Sequence, residues 1–236
     1  MDPTLIVAGV AALAIILITV GIAMSGSGSG VSARLERYAS GRADKPAKGK
    51  GDGLADLIAR LDRSVEAGDA AAITKKVKAD LEYVLGSGTL KLPAQFTVAR
   101  PEAYARRLLH RDPAGRYSAI VMTWGPGQGT AVHDHGGLWC VEGVVDGEIA
   151  VTQYLVEPAA DGYFRVTPIG ALLAGTGSAG CLIPPTDHHV LANARPAKAS
   201  ITLHVYGGDL DDCKVFLPAT PDGRYAETMK SLSFNE

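Results

Sequence analysis

Apolar positions along the chain change their spacing three times, and each change marks a different kind of segment. Residues 5–24, LIVAGVAALAIILITVGIAM, are an uncharged and almost unbroken apolar run. A bilayer-spanning helix takes about 20 such residues, so the run predicts a single transmembrane helix; a buried core helix is the alternative. Asp2 is the only charge ahead of it and no small-residue cleavage site ends it, which disfavours a signal peptide. From residue 54 the apolar positions recur at helical spacing. Leu54, Leu57, Ile58 and Leu61 form one stripe, and residues 71–84 continue in the same style until Gly86. Pro101 then stands where a helix starts, and Tyr104, Leu108 and Leu109 follow. These three patterns predict a helical section over 54–112. From Tyr117 onward short β runs alternate with Gly and Pro. Strands are expected at 117–124, 138–145, 149–156, 164–168, 181–184, 189–193, 200–206 and 215–218. Short strands with regular turn signals predict a small barrel or sandwich.

Between the apolar run and the first stripe the sequence is of linker type. SGSGSG at 25–30 and ADKPAKGKGDG at 43–53 frame a short basic stretch. The expected division is therefore an anchor at 1–24, a flexible linker at 25–53 and one folded unit at 54–236, helical over 54–112 and barrel over 113–236. Arg34, Arg37, Arg42, Lys45, Lys48 and Lys50 all follow the apolar run. The positive-inside rule then puts the folded unit in the cytoplasm, tethered to the inner membrane. A net charge of −2 gives no reason to expect a nucleic-acid partner. Cys140, Cys181 and Cys213 are odd in number and widely spaced. They argue against a disulfide framework and against a structural zinc site.

The candidate chemistry sits in the stretch WGPGQGTAVHDHGGLWCVEGVV, residues 124–145. His133 and His135 are two apart, so in an extended segment their side chains share a face, about 6–7 Å apart. A further imidazole, His188 or His189, follows Pro184 and Pro185 in PPTDHHVLAN. Neutral imidazoles suit Fe, Cu, Zn or Ni. Glu142 is a rival ligand. In ITLHVY, Thr202, His204 and Tyr206 alternate and share one strand face.

HDHGGLWC, PPTDHHVLAN and ITLHVYGGDLDDC together resemble the cysteine dioxygenases, thiol dioxygenases of the cupin superfamily, and in particular their bacterial members. The resemblance runs from about Leu54 to the C-terminus and leaves out the anchor and linkers. It implies a mainly β cupin fold, a small β-barrel or jelly roll with N-terminal helices. Cupins carry a first motif of the form G(x)5HxH(x)3–4E(x)6G. Here Gly127 leads into His133 and His135, Cys140 occupies the usual glutamate position, and Gly147 closes the motif. The second motif ends in H(x)3N, which His189 and Asn193 match, so the resemblance makes His133, His135 and His189 the ligands of Fe(II).

The same resemblance implies the remaining roles. Tyr206, oriented by His204, would lie near substrate and oxygen, with Thr202 where the family has serine. Cys140 and Tyr206 match the pair that forms a thioether cross-link in mammalian-type members; many bacterial relatives have glycine at the cysteine position. An arginine would hold the substrate carboxylate. The tyrosine-x-arginine pattern favours Arg106, after Tyr104; ungapped counting picks Arg107. Arginine favours L-cysteine, whereas the related 3-mercaptopropionate dioxygenases have glutamine at that place. The implied activity is oxidation of L-cysteine by O2 to cysteine sulfinate in a monomer. The alternatives are 3-mercaptopropionate as substrate, and a membrane-tethered cupin that binds metal as a sensor without catalysis.

Overall fold

The computed structural model describes residues 53–235. The anchor expected at 5–24 and nearly all of the linker lie outside the described residues. Among the described residues no helix is long and apolar enough to cross a membrane.

Two helices come first, α1 (Gly53–Ser64) and α2 (Ala70–Ser87). The Asp69 side chain caps α2 by accepting from the Ala72 N–H at 2.8 Å. The helix ends at Gly88, whose φ of 67° is the left-handed geometry that suits glycine. Leu57 and Leu61 of α1 are buried with Val77, Leu81, Val84 and Leu85 of α2. Their spacing gives each helix one apolar stripe, and the two stripes join a single core cluster.

Eleven strands follow among the described residues. β1 (Ala105–Arg111), β2 (Ser118–Trp124), β4 (Cys140–Asp146), β7 (Ala179–Leu182) and β9 (Ser200–Tyr206) build one sheet in the order β1-β2-β9-β4-β7. β3 (Val132–His133), β5 (Glu148–Pro158), β6 (Phe164–Gly175), β8 (His189–Asn193), β10 (Asp212–Pro218) and β11 (Tyr225–Ser231) form the second. That sheet closes on itself in the order β10-β11-β6-β5-β8-β3, with β3 pairing back onto β10. The mainly β architecture with N-terminal helices agrees with the sequence pattern.

The five-stranded sheet has two buried faces, and strand alternation decides what each carries. Ala119, Val121, Val141, Leu203 and Val205 face the helices. Ile120, Met122, Trp124, Cys140, Val144 and Tyr206 join the opposite cluster, with Ile149, Val151 and Leu191 of the second sheet. Residues of the sequence motifs therefore lie between the two sheets, away from the helices.

Several expectations need correction. The helix expected from Pro101 does not form; residues 105–111 are β1, paired antiparallel with β2 from Ala105↔Thr123 to Arg111↔Ser118. The helical part thus ends at Ser87, apart from a short 3-10 turn at Ala94–Thr97. Propensity favoured a helix, but an open sheet edge beside the buried strand β2 offers a ladder of hydrogen bonds that overrides it. β6 runs past Pro168 to Gly175. Its pairing with β5 slips between Gln153 and Tyr154, and that bulge accommodates the proline. β11 was not expected at all: YAETMKS has little apolar alternation, and the strand is held by its seven-residue ladder with β10.

Candidate metal centre

His133 and His189 are direct cross-strand partners in β3 and β8. His135 follows just past the end of β3. The intervening Asp134 turns away and fastens the segment: its Oδ1 accepts from the Lys214 N–H at 2.8 Å, and its own N–H donates to the Lys214 carbonyl at 3.1 Å. Gly136 then takes φ 58°, where an added Cβ would stand 3.0 Å from the Asp212 carbonyl oxygen. Only glycine turns the chain there without strain. The three imidazole centroids lie 4.7–5.3 Å apart. One nitrogen from each ring falls within 4.8 Å of the others, so one ion can lie among them.

All three rings have an oxygen at Nδ1. That of His133 is 3.0 Å from the Ala131 carbonyl, and that of His135 is 3.0 Å from Asp187 Oδ2. His189 Nδ1 has Glu142 Oε1 at 3.5 Å. Nδ1–H facing an oxygen leaves Nε2 as the lone-pair nitrogen for a metal. His133 is pushed down to about 3, first by burial and then by the charge that His135 would carry. His189 is driven well below its ordinary value for the same reasons, with His133 the main neighbour. Both rings are therefore neutral at pH 7, the form that ligates. Neither nitrogen of His189 has a hydrogen-bond partner among the described residues, although the ring is fully buried. An orphaned buried nitrogen costs about 1–3 kcal/mol, and a metal on Nε2 removes that cost. A donor set of three imidazoles fits iron and its neighbours.

Asp187 was missed by sequence reasoning. It is buried, and its Oδ2 accepts from the His135 backbone N–H at 3.1 Å as well as facing the ring. Burial pushes its carboxyl up, but the bond and charge of His135 outweigh that and hold it below its ordinary value. The available signal was a carboxylate two residues before the motif histidine, in TDHH.

Thr202, His204 and Tyr206 share the interior face of β9, as the alternation predicted. Trp124 Nε1–H donates to Thr202 Oγ1 at 2.9 Å, and that oxygen lies 2.8 Å from His204 Nε2. His204 Nδ1 is 3.3 Å from the Tyr206 hydroxyl. The indole can only donate, so Thr202 Oγ1 accepts from Trp124. The Thr202 hydroxyl still has its own proton to offer His204 Nε2, and the Glu142 carboxylate oxygen 3.4 Å from His204 Nδ1 favours the proton on Nδ1. Tyr206 then accepts from it and keeps its own O–H for the interior. Burial lowers His204 to about 3 and raises Tyr206 well above its ordinary value. Cys140 is the cross-strand partner of Tyr206. Its thiol is buried, and burial pushes it well up.

An open cavity of about 630 Å³ reaches these groups. The three histidines, His204, Tyr206 and Cys213 line it. Because β1 is a strand, Arg106 and Arg107 point to opposite sides. Arg106 lines the cavity, donates from Nη2 to the Leu210 carbonyl at 2.7 Å and sits 4.6 Å from the Phe234 ring. Arg107 lies off the cavity and donates to the Val98 carbonyl at 2.9 Å. Tyr104 also lines the cavity, its ring 4.5 Å from that of Trp124. Arg106 and Lys230 are the only cationic side chains among the lining residues. Cys181 donates to the Thr74 carbonyl on the helix side, and His110 packs near Tyr117, both away from the centre.

The cysteine dioxygenase type I profile matches residues 45–218. Cysteine dioxygenase type 1 of Rattus norvegicus and that of Mus musculus are each 26% identical over 164 residues, 69% of this chain and 78% of theirs. Among solved structures, a protein of Thermus thermophilus has a TM-score of 0.38 at 21% identity, covering 50% of this chain and 96% of its own. Oxalate oxidase in complex with the substrate analogue glycolate has a TM-score of 0.38 at 15% identity, covering 51% and 60%. With the match extending over most of the described fold and over all three convergent histidines, the chain belongs to the cysteine dioxygenase type I family.

Proposed function

We propose that the protein is an Fe(II)-dependent thiol dioxygenase that oxidises L-cysteine with O2 to cysteine sulfinate. The observation that carries this reading is the set of three convergent imidazoles opening onto a cavity whose lining cations are Arg106 and Lys230. His133, His135 and His189 would hold ferrous iron, which would supply the centre at which an anionic thiolate and O2 come together. No carboxylate shares that donor group, so the ion's charge stays available to a thiolate. Both oxygen atoms enter the sulfur, and the sulfur supplies the electrons that reduce O2, so no further reductant is needed.

The chain's own residues position and protonate. Arg106 presents a guanidinium to the substrate carboxylate, a contact that can be bidentate. Trp124, Thr202 and His204 hold Tyr206 so that its O–H is directed to the reacting oxygen. Burial keeps that hydroxyl protonated at neutral pH. Cys140 and Tyr206 are the pair that a thioether cross-link would join. Residues 5–24 tether the enzyme to the inner face of the membrane, a reading that rests on the apolar run and the basic residues after it.

The test is full-length protein, purified without oxygen in detergent, loaded with Fe(II) and placed in an oxygen electrode. Rapid uptake with L-cysteine and sulfinate identified by mass is the expected result. Uptake with 3-mercaptopropionate alone would keep the iron site and overturn the substrate. No uptake with either thiol at full iron occupancy would move the function to a metal-binding sensor.

A further inference from the structure

Glu142 has no part in the chemistry above, yet it lies at the middle of the site. It projects from the interior face of β4, directly opposite His204 of β9, and is 5% exposed. Its two oxygens face two different rings. Oε1 is 3.5 Å from Nδ1 of His189, a candidate metal ligand, and Oε2 is 3.4 Å from Nδ1 of His204, in the Tyr206 relay. These separations exceed a formed N–H···O bond by a few tenths of an ångström. In both cases the nitrogen nearest the carboxylate is Nδ1, and a carboxylate oxygen there accepts, so each ring turns an N–H toward it. His133 and His135 already have an Nδ1 oxygen in the Ala131 carbonyl and in Asp187. Glu142 supplies the third.

We propose that Glu142 is a positioning residue shared by the metal centre and the relay. One carboxylate holds His189 as the Nδ1–H tautomer, with Nε2 toward the ion, and the same carboxylate fixes the ring of His204. This rests on the three-histidine reading and extends it. Glu142 then stands behind His189 as Asp187 stands behind His135. Histidine ligands are commonly backed by a carboxylate, which fixes the ring and raises its basicity. The shared contact adds a consequence: disturbing His204 from the Glu142 side also disturbs the metal.

The experiment measures Fe(II) and Co(II) dissociation constants of the full-length protein by anaerobic competition with a chelator. It also records the visible spectrum of the Co(II) form, which reports ligand geometry without turnover. Wild type is compared with Glu142→Gln, Glu142→Leu and His189→Ala. Glu142→Leu is expected to weaken metal binding about 10- to 100-fold and to shift the Co(II) bands. Glu142→Gln keeps one acceptor oxygen and is expected to fall between. Metal binding within about twofold of wild type with an unchanged Co(II) spectrum in Glu142→Leu would overturn the proposal. If Glu142→Leu does not fold, Glu142→Gln decides it: weaker binding with a shifted spectrum supports the shared carboxylate, and neither change overturns it. Wild type that binds no metal, or His189→Ala that binds as tightly as wild type, would overturn the three-histidine reading and this inference together. Tight wild-type binding lost in His189→Ala but untouched by either Glu142 change overturns this inference alone.

Discussion

At the scale of single residues, the adjacent pair Arg106 and Arg107 shows how backbone geometry assigns chemistry. Both are buried, and they differ by one position. Strand alternation sends Arg106 to the cavity and Arg107 to the Val98 carbonyl. Burial, and after it the nearby charge of Arg100, holds the Arg107 guanidinium below its ordinary value. The two substitutions should therefore fail differently. Arg106→Gln removes a charge-assisted contact worth roughly 1.5–3 kcal/mol. Its kcat/KM for cysteine should drop about 10- to 150-fold, mainly through KM, with a much smaller loss for cysteamine, which has no carboxylate. Arg107→Gln should lower the melting temperature and leave KM near wild type. Steady-state kinetics beside thermal unfolding separates them, and a loss of kcat/KM in Arg106→Gln as large with cysteamine, a thiol without a carboxylate, as with cysteine would remove the carboxylate role. The sequence left both arginines open because the tyrosine-x-arginine pattern picks Arg106 and ungapped counting picks Arg107, and the strand that separates them was not expected there.

At the scale of elements, the helices brace the face of the five-stranded sheet that the site does not use. Arg116, in the turn between β1 and β2, ties the hairpin to the helical layer. It bonds Asp112 through Nε at 2.7 Å and reaches Asp62 and Glu66 at 3.3 and 3.1 Å. The Arg116 hydrogen bond, first among the causes, holds the Asp112 carboxyl well below the ordinary carboxylate range. A folded-state pKa below the unfolded value, about 3.9, stabilises the fold above that pH and is lost as the pH falls through the folded value. Asp112→Asn should therefore melt below wild type at pH 7, and the gap should narrow once the pH drops under about 4. Thermal scans across pH check this, and a gap independent of pH would show that the pair contributes nothing through charge. The helices and most strands could be read from the sequence because their apolar spacing matches one buried face. β1 could not, since its residues ARRLLHR alternate nothing and the strand exists through the edge that β2 presents. Local motifs placed His133, His135, His189, Thr202, His204 and Tyr206 together. Asp187 and Glu142 acquire their positions only when β8 and β9 close on their neighbours.

At the scale of the whole molecule, the site belongs to neither sheet alone. His133 and His189 come from the closed sheet, and Cys140, Glu142, His204, Tyr206 and Arg106 from the five-stranded one. The end of the chain stitches the cavity wall. After β11, the Leu232 N–H donates to the Asp211 carbonyl at 2.8 Å and the Asn235 N–H to the Arg106 carbonyl at 2.7 Å. Asn235 Oδ1 accepts from the Arg106 N–H at 2.8 Å, and Phe234 lies against the guanidinium. This segment lies beyond residue 218, where the family match ends. Removing residues 232–236 deletes two backbone-linked bonds to Arg106, each worth about 0.5–1.5 kcal/mol. It also deletes the ring that steadies the arginine's side chain. The histidines sit on other strands and lose nothing directly. The shortened protein should bind Co(II) as wild type does and show an unchanged spectrum, while KM for cysteine rises on the order of tenfold. A KM that stays at the wild-type value would mean that β1 and Leu210 suffice to hold Arg106. A loss of metal binding would mean that the chain end supports the barrel as a whole, beyond its contact with Arg106.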